Sequence, residues 1–119
     1  MFRTRQILDE LRPDFDHVVN MVEPGSRVLD LGCGDGRLLE RLIKEKNARG
    51  MGVEIDEENV VRSIGRGLSV FQGNIDEGLK NYPDRSYDYV ILNQSMQQVK
   101  KVGDVIHESL RIGSKVIIG

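Results

Sequence analysis

Val28-Leu29-Asp30-Leu31-Gly32-Cys33-Gly34-Asp35-Gly36 is the stretch that decides the fold. Its first four residues form a short, mostly apolar run bounded by turn formers, which reads as a strand buried on both faces, as in a parallel sheet. Alternating glycines follow at once, and then Leu38, Leu39, Leu42 and Ile43 recur at helical spacing. A strand running through glycines into a helix makes a cradle. Glycine opens backbone angles closed to other residues and puts no side chain between the main chain and a ligand. In open α/β sheets such a loop lies beyond the carboxyl ends of the strands, where strand order reverses and ligands bind.

Outward from this core, the chain alternates helical and strand periods. Ile7, Leu8, Leu11, Phe15, Val18, Val19 and Val22 recur at steps of three and four, an amphipathic helix. Pro13 lacks an amide hydrogen and restrains its predecessor, so two short helices are expected there, ended by the turn Glu23-Pro24-Gly25-Ser26. The helix after Gly36 should stop between Asn47 and Gly50. Met51 to Ile55 reads as a second strand, 57 to 65 as a helix capped by Asp56, and Leu68 to Gln72 as a third strand. A short helical segment through Leu79 and the turn Tyr82-Pro83-Asp84 lead to a fourth strand, Tyr87 to Leu92. Val102 to Ile112 is helical, and Lys115 to Ile118 is a fifth strand. This alternation predicts a mainly parallel sheet with helices on both faces. With 119 residues there is room for a single domain, comprising a helical segment at 1–25 and a cofactor-binding core at 26–119.

The net charge of −2, with both signs interspersed, creates no field to attract nucleic acid. No apolar run approaches the ~20 residues that span a bilayer, and the N-terminus lacks the apolar stretch of a secretory signal. The lone Cys33 suits a reducing compartment, so the cytoplasm is the expected location. One cysteine and two distant histidines predict no metal site.

Spacing narrows the ligand. The dinucleotide fingerprint G-x-G-x-x-G would put its third glycine at Arg37, but the glycine present is one place early, at Gly36. The Gly-Lys-Ser/Thr ending of a phosphate-binding Walker loop is absent. Glu54, at the end of the second strand, is placed to accept hydrogen bonds from ribose hydroxyls.

Asp30-x-Gly32-x-Gly34-x-Gly36 resembles the S-adenosylmethionine loop of class I methyltransferases. From Arg27 to Gly119 the chain looks like the methionine-biosynthesis family MetW. The likeness includes Gly52-Val53-Glu54-Ile55-Asp56, Tyr87-Asp88-Tyr89-Val90 and Gln94-Ser95-x-Gln97-Gln98. The resemblance implies a Rossmann-like sandwich with strand order 3-2-1-4-5, and the expected departure from the family is the lack of the C-terminal strands usual in class I methyltransferases. It implies a cofactor site of Asp30, Gly32, Cys33, Gly34, Glu54, Ile55, Asn74, Ile75 and Asn93. Asn74 stands where the superfamily commonly places an acid for the adenine amino group, and its amide oxygen can accept the same bond. Asp76 is expected to cap the next helix. Asn93-Gln94-Ser95 should form the remaining wall.

The resemblance implies a pathway more firmly than a reaction. Methyl transfer from a sulfonium needs mainly alignment of donor and acceptor, so the absence of a catalytic triad is uninformative. His17, His107, Tyr87, Tyr89 and the segment 93–98 are candidates, yet no catalytic residue is assigned, and the two tyrosines are expected to pack on one strand face. Three functions stand in order: a methyltransferase on an unidentified acceptor, a noncatalytic cofactor-sensing partner of homoserine O-acyltransferase, and a nicotinamide-dinucleotide-binding protein. S-adenosylmethionine or S-adenosylhomocysteine is the expected ligand. An edge strand at the C-terminal end invites cover by a second copy, giving a homodimer, or by the acyltransferase.

Overall fold

A computed structural model describes residues 13–93 and 98–119. Helix α1 spans Pro13–Met21 and strand β1 spans Arg27–Leu31, followed by α2 (Arg37–Lys46), β2 (Arg49–Glu54), α3 (Glu57–Gly65) and β3 (Val70–Gln72). A short helix α4 (Ile75–Gly78) runs into one 3₁₀ turn, Leu79–Asn81. The chain then continues through β4 (Tyr87–Leu92), α5 (Val102–Ile112) and β5 (Gly113–Ile118). The helix expected before Pro13 lies outside the described residues. Pro13 itself opens α1, where its missing amide would have had no partner.

The five strands form one parallel sheet in the order β3-β2-β1-β4-β5. β1 lies at the centre, with Asp30 beside Gly52 of β2 and Ile91 of β4. Because consecutive strand residues face opposite sides, the sheet separates two cores. Val28, Tyr89, Ile91 and Ile117 pack under α1 and α2 with Val18, Val22, Leu39 and Leu42. Leu29, Leu31, Val53, Val90 and Leu92 pack on the other side with Leu79, Val105 and Ile112. Asp30 shares the parity of Val28 and so faces the α1/α2 side.

Several boundaries differ from expectation. β2 begins at Arg49, which pairs with Arg27, and β5 begins at Gly113, which pairs with Tyr87; β3 is shortened to Val70–Gln72. Strand extent follows these neighbours as much as local composition. Tyr87 and Tyr89 do not share a face. Tyr89 is buried under α1, where its hydroxyl accepts from the Glu23 amide and donates to the Met21 carbonyl, both at 3.3 Å. Tyr87, the first residue of β4, meets Tyr82 edge to face with centroids 6.1 Å apart and packs against the opposite core. Two residues ahead of it Arg85, at φ 55°, turns the chain into β4.

Candidate functional site

The glycine loop leaves the centre of the sheet and is held from two sides. Gly32 and Cys33 both donate to the Val53 carbonyl, at 2.7 and 3.0 Å. Gly34 donates to Glu54 Oε1 at 2.8 Å, while Glu54 Oε2 accepts from the Asp56 amide at 2.9 Å. Glu54 is 7% exposed, and these two backbone donors offset the cost of burying it. From α3, the fully buried Ser63 donates to the Gly34 carbonyl at 3.0 Å. Arg66, just past that helix, donates to the Asp35 carbonyl at 3.0 Å.

Gly32, Gly34 and Gly36 all have positive φ, Gly32 at 75°, and the last two require glycine for different reasons. Gly34 has φ 59° with open space around it, so only its backbone angle matters. Gly36 has φ 89°, and a Cβ there would collide with Leu68 Cδ1 and stand 2.8 Å from Ser63 Oγ. Asp35 Oδ1 accepts from the Arg37 amide at 3.2 Å, fastening the loop to the start of α2.

Above the loop opens a cleft of about 280 Å³, with Asp30 lining it beside Gly32, Cys33 and Gly34. Asp30 is 2% exposed, and its carboxyl has no hydrogen-bond donor among the described residues. Burial, and secondarily the neighbouring charge of Glu54, push its pKa up to about 7. A carboxyl so placed favours a cationic group entering the cleft, since the ligand supplies the missing partner. Cys33 is also buried, and burial followed by the Asp30 charge pushes its thiol up to about 12. It stays protonated at neutral pH and is no nucleophile.

Of the residues read from the sequence, Asp30, Gly32, Cys33, Gly34 and Asn93 line this cleft. Glu54 braces its loop. Ile55, at the end of β2, is 56% exposed. Asn74 lies on a neighbouring apolar hollow with Val53, Phe71 and Leu79. Ile75 lines a third depression, between α4 and α5. Gln94 and Ser95 lie outside the described residues. His17 and His107 are exposed, and neither lines the cleft.

The structure adds Phe15, Asp35, Leu38, Asn59 and Gln98 to the cleft wall. Phe15 and Leu38 carried only the signal of helical periodicity. Asn59 reaches the site through the packing of α3, which no local pattern announces, whereas Gln98 ends the Gln-rich motif after β4 that carried the family resemblance.

One capping role moves. Asn74, not Asp76, caps α4, accepting from the Asp76 amide at 2.9 Å. Asp76 lies one step inside the helix, and its carboxylate accepts instead from the Lys100 and Lys101 amides.

The family model for methionine biosynthesis protein MetW matches residues 12–119. The bifunctional methionine biosynthesis protein MetXA/MetW of Rhodopirellula baltica is 36% identical over 116 residues, covering 91% of this chain and 19% of that protein. Among solved structures, a SAM-dependent methyltransferase from Archaeoglobus fulgidus superposes with a TM-score of 0.78 at 24% identity, covering 88% of this chain and 48% of the other. A phosphoethanolamine N-methyltransferase from Haemonchus contortus, solved with S-adenosylhomocysteine, reaches the same TM-score of 0.78 at 17% identity, covering 91% of this chain and 28% of the other. The chain thus spans about a fifth of its curated MetXA/MetW relative. At these identities the two solved structures speak for the fold alone. No helix of the described residues is long and apolar enough to cross a membrane.

Proposed function

The chain belongs to the MetW family, and from that premise we propose that it binds S-adenosylmethionine in the cleft above the glycine loop, as a methyltransferase-like protein of methionine biosynthesis. The observation that carries this reading is Asp30, a buried carboxyl open to the cleft with no donor of its own among the described residues. The amino group and sulfonium of the cofactor are cationic, so its methionine portion suits Asp30 and the bare backbone of Gly32, Cys33 and Gly34. Glu54 keeps lone pairs beyond the two used by Gly34 and Asp56, enough to accept from ribose hydroxyls. Ile55 and Asn74, on the loops after β2 and β3, and Ile75, at the start of α4, would flank the adenine, with Asn93 closing the side toward β4.

When bound, the cofactor supplies an activated methyl group. This chain's part is to orient it: the carboxylates fix its polar ends, and Phe15 and Leu38 exclude water from one side. Titration of the chain with S-adenosylmethionine, S-adenosylhomocysteine and NAD by calorimetry tests the reading. Binding of the first two and not NAD is expected; binding of NAD alone would overturn it.

The joined MetXA/MetW relative supports a second reading, a noncatalytic partner that senses the cofactor for homoserine O-acyltransferase. A second copy of the chain is the competing partner. Light scattering over a concentration series, with and without the acyltransferase, separates them. A strictly monomeric chain that ignores the acyltransferase and methylates a small acceptor unaided would sink the partner reading.

A further inference from the structure

Asp76 stands between the segment after β3, which carries Asn74, and the segment after β4, which carries Gln98. Its backbone lies in α4, two residues beyond Asn74, and its amide is the one that Asn74 Oδ1 accepts. Its side chain serves a different helix. Oδ1 accepts from the Lys100 and Lys101 amides at 3.2 and 2.8 Å, and Oδ2 from Lys100 at 3.2 Å. Lys101 is the N-cap of α5 and offers no side-chain cap. A carboxylate from another element therefore meets the orphan amides and the positive end of that helix. The Lys101 and then the Lys100 amide hold the Asp76 carboxyl below the usual carboxylate range, so it is charged at neutral pH.

The segment held in this way carries part of the cleft. Gln98, two residues before Lys100, lines the cleft, and Val99 between them packs against the core below the sheet. One residue thus joins the loop after β3 to the wall after β4. We propose that Asp76 is a positioning residue that couples the hollow at Asn74 to the cleft wall at Gln98, so that a ligand reaching the first orders the second. This rests on the reading of the cleft as an S-adenosylmethionine site.

Amide hydrogen exchange and S-adenosylhomocysteine calorimetry on the wild-type chain, Asp76→Ala and Asp76→Asn provide the test. Without ligand, Asp76→Ala is expected to speed exchange at Lys100 and Lys101 by about tenfold while β1 and β4 stay unchanged. Asp76→Asn should fall between, because it keeps one acceptor oxygen. With ligand, the wild-type chain should gain protection at both Gly32–Gly34 and Lys100–Lys101. Asp76→Ala should gain it at the glycine loop alone and bind about tenfold more weakly.

Unchanged exchange at Lys100 and Lys101 in both variants overturns the proposal. So does wild-type affinity despite faster exchange, or a uniform acceleration across the sheet, which would make Asp76 a structural cap only. A wild-type chain that does not bind S-adenosylhomocysteine overturns the parent reading and the coupling with it, and the ligand-free comparison then decides the clamp alone.

Discussion

Asp30 answers to two opposed demands. Its carboxyl is buried with no donor among the described residues, which costs stability, and that same lack makes it available to a cationic ligand. The pKa near 7, against an ordinary 3.8, gives both effects a pH dependence. The folded state holds this proton more tightly than the unfolded chain. The contribution to stability is therefore complete below the ordinary value and is lost as pH rises through about 7. Asp30→Asn removes the titration. The variant should melt higher than wild type at alkaline pH, by on the order of 2 kcal/mol, yet bind S-adenosylmethionine at least roughly tenfold more weakly. In the wild type, affinity should rise as pH increases through 7 and then level off. Calorimetry and thermal melts across that range check both; a variant that binds as well as wild type removes Asp30 from the site. The glycines offer a second contrast at this scale. Gly34→Ala should cost about 1–2 kcal/mol, the backbone angle alone. Gly36→Ala should cost more, roughly 3 kcal/mol, because the added methyl also strikes Leu68 and Ser63. Chemical denaturation should rank them in that order.

At the level of elements, the glycine loop takes its shape from β2 and α3 rather than from its own residues. Glu54 braces Gly34 and takes the ribose in the proposed site, and on that proposal Glu54→Ala should weaken ligand binding by roughly 1–3 kcal/mol. Unchanged affinity in a folded variant would remove Glu54 from the site. Asn74→Asp should bind the cofactor as well as wild type or better, since a carboxylate is the stronger acceptor and still caps α4. A large loss in a folded variant would count against assigning the adenine to that corner. The sequence showed the elements because their periods are local: Leu38, Leu39 and Leu42 repeat within one helix, and Asp56 caps α3 from the adjacent position, accepting from Glu58 at 2.9 Å. The strand order and family followed from motif resemblance, now matched by the sheet and by the MetW family match. What stayed hidden depends on contacts between distant segments. The amides that Asp76 holds are 24 and 25 residues away, and Ser63, 29 residues from Gly34, reads in the sequence as one more polar residue in a helix.

On the scale of the whole molecule, the cleft gathers groups that no single half of the sheet supplies. Phe15 comes from α1, Asp30 from β1, Asn59 from α3, and Asn93 and Gln98 from beyond β4. These groups converge only when both cores are packed, so a cleft ligand binds the folded chain and not the unfolded one. Mass action then stabilises the whole domain: at a hundredfold excess over Kd the gain is about 2.7 kcal/mol. For a domain of 119 residues this corresponds to a rise in Tm of roughly 10 °C. S-adenosylhomocysteine is thus expected to shift a single melting transition upward as one unit, with the shift growing as the logarithm of its concentration. The Asp30 charge adds a second signature for S-adenosylmethionine, whose shift at fixed concentration should be larger above pH 7 than below it. Thermal melts monitored by circular dichroism and, in a chain carrying Tyr82→Phe and Tyr87→Phe, by the absorbance of Tyr89 would follow the whole fold and the α1 contact separately. If the ligand moved one transition and left the other in place, the cleft would belong to a part of the fold, and the convergence argued here would fail.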